Sequence, residues 1–269
     1  MIAVGRRGLL TALTFLLGCA LIGWLLVWPR YAAYRERHRT VAPDSSLADQ
    51  CNPADIEVPD SARRIVLTAE DGTRLGGAVV GVDDARTAVL LRQGAGQRIC
   101  QWLPFAERLA SEAGVQVVLF DRRGRGSSPG EENLSKEPGD LQTASDWATS
   151  HGASRIVLLA SSMGNSVMFS ALPEILPAPC GVVAISPVLT SADSHGAVDG
   201  TAPTRLPQHF ATVYEEPLGG SVEYLAKAAA KEEVELTRLA LPTGDHSLQL
   251  ILRHAEAQTF VIDQVRSCA

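Results

Sequence analysis

Residues 156–164 read Ile156-Val157-Leu158-Leu159-Ala160-Ser161-Ser162-Met163-Gly164, and a helical pattern follows over Asn165–Leu172. A short apolar run that ends in small residues and opens a helix is a buried strand turning sharply into a helix. When a serine occupies the strained position of such a turn, the residues two before and two after it must be small. That spacing selects Ser162, between Ala160 and Gly164, because Ser161 would be flanked by the bulkier Leu159 and Met163. The amides of the following helix also face developing negative charge.

Outward from this turn, short apolar runs alternate with amphipathic stretches. Arg64–Ala69 and Leu75–Val82, divided by Asp71-Gly72, predict a hairpin. Ala88–Leu91, Val115–Phe120, Ile156–Ala160, Val182–Ser186, Phe210–Tyr214 and Val234–Leu241 predict further strands. The intervening stretches Trp102–Ala113, Asp140–Ser150, Asn165–Leu172, Ser221–Glu233 and Ala255–Val265 predict helices. A hairpin followed by β-α alternation implies an α/β fold with a mainly parallel central sheet flanked by helices. No gap between elements is long enough for a large cap domain, and Ser191–Gln208 would form only a small flap.

Several stretches, in order, resemble the α/β-hydrolase superfamily, in particular its dienelactone-hydrolase-like and serine-aminopeptidase-like members, over about residues 64–265. Gln93-Gly94-Ala95-Gly96 is similar to the oxyanion turn after the third strand. Phe120-Asp121-Arg122-Arg123-Gly124-Arg125-Gly126-Ser127-Ser128 is similar to the loop after the fourth. Asp140–Trp147 with Ala153–Ser166 resembles the helix, strand and nucleophile turn, and Gly244-Asp245-His246 the turn that carries the base. The resemblance implies an α/β-hydrolase fold, a serine hydrolase acting on ester or related acyl bonds, and a loop-structuring role for Asp121.

A serine nucleophile needs a base to take its proton and a carboxylate to orient that base. Of the six histidines, only His246 follows a strand and precedes an apolar helical run. The resemblance implies an acid after the seventh strand, where Glu215 and Glu216 stand. Glu216 is the first expectation and Glu215 the second, with Asp193 after the sixth strand as a further alternative. It also implies that the backbone amides of Ala95 and Met163 hold the oxyanion. The chain departs from the family pattern at Gln93 in place of His, Ala160 in place of the first elbow Gly, and Ser247 in place of the Gly after the base. A non-catalytic binding or scaffold protein on the same fold is the alternative reading. There is no His-Glu-x-x-His, no Cys-x-x-Cys and no complete dinucleotide glycine fingerprint, so no metal or cofactor is expected.

The 269 residues are 46% hydrophobic and 20% charged, a composition that excludes a disordered chain. Arg6, Arg7, Arg30, Arg35, Arg37 and Arg39 against Glu36 and Asp44 give the first 45 residues a charge of +4. With −6 for the whole chain, the remainder carries −10, which argues against a nucleic-acid partner. Gly8–Pro29 holds no charged residue, so residues 8–28 are expected to span a membrane, with Trp24, Trp28 and Tyr31 at its far end. The expected organisation is a transmembrane signal anchor over 1–29, a tether over 30–60 and a hydrolase domain over 61–269. Leu16-Leu17-Gly18-Cys19 also resembles a lipobox, but the apolar run continues beyond Cys19, which favours an uncleaved anchor.

Arginines on both sides of the apolar run leave a positive-inside count pointing to a cytoplasmic body. Cys51, Cys100, Cys180 and Cys268 point the other way. An even number permits two disulfides in an oxidising compartment, in any of the three possible pairings, or four reduced thiols. The extracytoplasmic side is the expectation.

Overall fold

The computed structural model describes residues 18, 21–32, 34, 39–52, 55–189, 203–216 and 219–269. The chain divides into two compact units, residues 1–39 and residues 40–269. In the first, residues 21–32 are helical and expose Leu21, Ile22, Leu25, Leu26 and Val27. Trp24 stacks on Trp28 with ring centroids 4.5 Å apart, and Tyr31 lies 6.0 Å beyond Trp28. Among the described residues no helix is long and apolar enough to cross a membrane. Residues 1–17, 19 and 20, which hold much of the expected 8–28 span and Cys19, lie outside the described residues.

The second unit is built on one eight-stranded sheet: β1 (Ala62–Thr68), β2 (Arg74–Val80), β3 (Thr87–Arg92), β4 (Gln116–Phe120), β5 (Arg155–Ser161), β6 (Gly181–Ile185), β7 (His209–Glu215) and β8 (Leu236–Leu241). Their spatial order is β1-β2-β4-β3-β5-β6-β7-β8. β1 and β2 form the expected hairpin, and β2 lies antiparallel to β4; all other pairs are parallel. At the hairpin turn Gly72 has φ +80, which a side chain disfavours, and the Asp71 Oδ1 accepts the Thr73 amide at 3.0 Å. The central strands β3, β4, β5 and β6 are apolar almost throughout and, except for Arg155 at the start of β5, buried, as a parallel sheet covered on both faces requires.

The helices are α1 (Leu47–Cys51), α2 (Ile99–Ala113), α3 (Glu137–Ser150), α4 (Gly164–Ala171), α5 (Gly219–Lys231), α6 (Leu248–Arg253) and α7 (Ala255–Arg266). On one face of the sheet, Leu91, Leu159, Ile185 and Val213 pack with Leu103, Leu109, Ile251 and Val261 of α2, α6 and α7. On the other, Leu90, Leu158, Ala184 and Phe210 pack with Leu141, Val167 and Leu225 of α3, α4 and α5. After β3 the chain moves to one side to form β4, and then crosses back to place β5 on the other side of β3. The loops leaving β3 and β5 therefore diverge and open a crevice at the carboxyl ends of the strands.

Part of the expected tether belongs to this body. The Val41 amide donates to Gly126 O at 2.8 Å, and Leu47, Gln50 and Cys51 are buried. Short polar segments with prolines read as linkers when their partners are not local; here they range from Arg64, 14 residues from Gln50, to Asp121, 71 residues from it. Cys51 is bonded to Cys100 and Cys180 to Cys268, at sequence separations of 49 and 88. Closing loops of that size removes roughly 4 kcal/mol each from the unfolded ensemble in the chain-entropy picture.

Candidate active site

Ser162 stands one residue beyond β5, with φ +53. A non-glycine residue there is held only by its surroundings. The Ser162 amide donates to Ile185 O at 2.9 Å, and the Asn165 Nδ2 reaches back to both Ser162 O and Ile185 O at 3.0 Å. A Cβ on Gly164 would come within 2.5 Å of Arg92 O and 2.8 Å of Gln93 O, so only glycine lets α4 start this close to the end of β3. The turn thus lifts Ser162, half-buried, into the crevice.

His246 lies on the turn between β8 and α6. The Thr243 amide donates to Leu241 O at 2.8 Å and the Asp245 amide to Thr243 Oγ1 at 3.1 Å. Asp245 then accepts from Arg253 Nη1 at 2.6 Å and pairs with His254 Nε2 at 3.0 Å, fastening the turn to the end of α6. The hydrogen bond with His254, then the Arg253 guanidinium, holds the Asp245 carboxyl below the usual carboxylate range. On this frame His246 Nε2 lies 2.8 Å from Ser162 Oγ, and its Nδ1 is hydrogen-bonded to Glu215 Oε1. A carboxylate can only accept, so Nδ1 carries the hydrogen and Nε2 is the free base facing the serine.

The acid facing His246 is therefore Glu215, and the first expectation, Glu216, is corrected. β7 runs one residue further than expected and ends on Glu215. Successive strand residues point to opposite faces. Glu215 shares the face of Val213, on which α6 packs directly after His246. Glu216 is exposed and borders a shallow depression with Pro242, Thr243 and Gly244. Asp193 lies outside the described residues, as does most of the expected Ser191–Gln208 flap. Glu215 is buried, and its second oxygen, Oε2, accepts the Ser186 hydroxyl at 2.6 Å.

The turn after β3 closes with the Gln97 amide donating to Gly94 O at 3.3 Å, and Gly96 supplies φ +70. A Cβ on Gly94 would stand 3.0 Å from Ser162 Cβ, so this turn abuts the nucleophile position. The Gly94 amide is occupied by Gln97 Oε1 at 3.0 Å. Ala95, next to Gly94, is exposed, and Met163, next to Ser162, is half-buried. Gln93 sends its Nε2 to Phe120 O at 2.8 Å, so it ties β3 to β4. Among the described residues no group of His, Cys, Asp and Glu is arranged to hold a metal ion.

A family model described as serine aminopeptidase, S33, matches residues 83–220. The chain belongs to the S33 serine aminopeptidase family. The matched stretch contains the β3 turn, the Ser162 elbow and Glu215, and ends before His246. No curated protein matches this S33-family chain by sequence. Among solved structures, an esterase of Pyrococcus furiosus is similar at 17% identity, covering 86% of this chain and 96% of its own with a TM-score of 0.64. An esterase of Pyrobaculum calidifontis is similar at 15% identity, with coverages of 81% and 89% and a TM-score of 0.64. An esterase/lipase from an uncultured bacterium follows at 14% identity, 87% and 94% coverage and a TM-score of 0.57. These likenesses establish the α/β-hydrolase fold of the S33-family chain.

Sequence reasoning brought Ser162 and His246 to one place and offered Glu215 second. It gives no role to Gln97 or Ser186, sets Ser161 aside as the nucleophile, and marks Ser247 only as a departure from the family pattern. Their one available signal is position, since each follows or ends an apolar run at the carboxyl end of the sheet.

Proposed function

We propose that the protein is a membrane-anchored serine esterase that works through an acyl-enzyme. The observation that carries this reading is the continuous contact from Glu215 through His246 to Ser162 Oγ, with 2.8 Å between His246 Nε2 and the hydroxyl. Ser162 Oγ attacks the acyl carbon as its proton passes to His246 Nε2. Glu215 stays ionised and holds the imidazolium by its Nδ1–H. The negative charge that develops on the carbonyl oxygen meets the Ala95 and Met163 amides, and losing such a donor costs about 2.7–4 kcal/mol in comparable sites. The tetrahedral adduct collapses as His246 returns its proton to the leaving alkoxide. Water then attacks the acyl-serine by the same route, releasing the acid and restoring Ser162.

Carboxylic esters are the proposed substrate class, supported by the similar structures, which are those of esterases. The uncharged run over residues 8–28 supports a single-pass anchor, and the two disulfides support an extracytoplasmic body. The test is hydrolysis of p-nitrophenyl esters by full-length protein in detergent, with fluorophosphonate labelling mapped by mass spectrometry. The expected result is turnover and label on Ser162, both lost in His246→Ala. A well-folded protein with neither would establish the binding-protein reading instead.

A further inference from the structure

Ser247 follows His246 at a position where the hydrolase pattern has glycine, and its backbone stays in a glycine conformation, with φ 60 and ψ −122. A side chain is disfavoured there unless its surroundings hold it. The Ser247 hydroxyl is engaged on two sides. Its Oγ lies 2.5 Å from Ser161 Oγ, on the last residue of β5, and accepts Gln97 Nε2 at 2.9 Å. Gln97 Oε1 in turn accepts the Gly94 amide and Trp102 Nε1, both at 3.0 Å. On the backbone side, the Ser247 amide donates to Ser186 Oγ at 2.9 Å, and Ser186 donates to Glu215 Oε2. Ser186 also has a positive φ, +43, and is fully buried. Through these bonds one residue reaches the turn after β3, the strand before Ser162 and the carboxylate at the end of β7. The partners lie 86 and 150 residues away in sequence through the hydroxyl, and 61 through the amide.

We infer that Ser247 is a positioning residue whose hydroxyl keeps the oxyanion turn, the nucleophile strand and the His246 turn in mutual register. The inference rests on the hydrolase reading of Ser162, His246 and Glu215. Glycine at this position would satisfy the backbone and keep the amide bond to Ser186, so only the bridge to Ser161 and Gln97 distinguishes serine from it. A purely structural role and a positioning role therefore predict different things of one substitution.

The experiment compares wild type with Ser247→Gly, Ser161→Ala and the double variant, as full-length proteins in detergent. It reads kcat, KM, Tm and the rate of fluorophosphonate labelling of Ser162. Ser247→Gly is expected to lower kcat and the labelling rate roughly tenfold, with KM within about twofold. Its Tm should move by only a few degrees, because relief of the backbone strain offsets much of the lost hydrogen bonding and the added freedom of the unfolded chain. Ser161→Ala should lower kcat less, and the double variant should fall no further than Ser247→Gly alone, since both remove the same bridge. Wild-type kcat and labelling in Ser247→Gly overturn the inference, as does a kcat loss that tracks a fall in Tm, or full additivity in the double variant. Wild-type protein that never labels at Ser162 overturns the hydrolase reading and this inference with it.

Discussion

Two clusters of charged and polar groups stand at the carboxyl ends of strands of the same sheet, and they are built on opposite rules. After β4, Asp121 is fully buried and accepts from Gln50 Nε2 at 2.6 Å, Ile99 N at 3.0 Å, and Ser127 N and Oγ at 2.8 and 2.9 Å. Beside it, Arg92 and Arg122 share Glu137, and Arg123 forks onto Asp140 and Asp71. Burial pushes the Asp140 carboxyl up, and Arg123 opposes that shift. Apart from Arg92 Nε, which is buried without a partner, these groups are held by fixed partners, so the cluster fixes a loop and caps α2. After β5, β7 and β8, by contrast, Glu215 faces a single imidazole, and Ser162 and His246 remain partly open to the crevice. Burial and charge alone would rank Asp121 and Glu137 above Glu215. What sets Glu215 apart from the other buried carboxylates is that its partner is an imidazole whose far nitrogen faces a serine hydroxyl.

That contrast can be broken at either cluster. The largest effect is expected at the nucleophile: Ser162→Ala should lower ester turnover by roughly 10⁴-fold or more while Tm moves by only a few degrees. Steady-state kinetics with thermal unfolding on the same sample checks both halves. Glu215→Gln should follow, lowering kcat by about 10³–10⁴-fold, because an amide can steady the wrong tautomer of His246. A pre-steady-state burst measurement would show whether the acylation half is the part affected. At the Asp121 cluster the effect should change in kind. Asp121→Ala strands several buried donors and should cost roughly 3 kcal/mol or more of stability by denaturant unfolding, while kcat per folded molecule stays within about threefold. The smallest effect is reserved for Glu216→Ala, expected to leave kcat and KM within about twofold. A loss there comparable to Glu215→Gln would return the acid to the exposed neighbour.

The distinction between Glu215 and Glu216 also marks how far the sequence could be read. The eight apolar runs and the turn at 160–164 specify the sheet and the nucleophile because they obey local rules of period and residue size. His246 was legible because it alone sits between a strand and an apolar helix. The acid was not, since at the end of a strand a shift of one residue exchanges faces. β7 is apolar on both faces up to Tyr214, and no alternation says where it stops. The placement of residues 40–52 on the body depends on contacts across 14 to 85 residues, and the disulfide partners lie 49 and 88 residues apart, where local pattern is silent. Ser186, Ser247 and Gln97 are uncharged and common residue types, and only their meeting in space gives them weight.

The bond between Cys180 and Cys268 encloses β6, β7, α5, β8, α6 and α7 in one covalent loop. Ser162 lies before that loop, whereas Glu215 and His246 lie within it. A protease that cuts the backbone once between 181 and 267 would therefore produce two polypeptides that migrate as one species until a reductant is added. With a cut between 181 and 214, Ser162 would be on one fragment and Glu215 and His246 on the other, joined covalently only by that one sulfur–sulfur linkage.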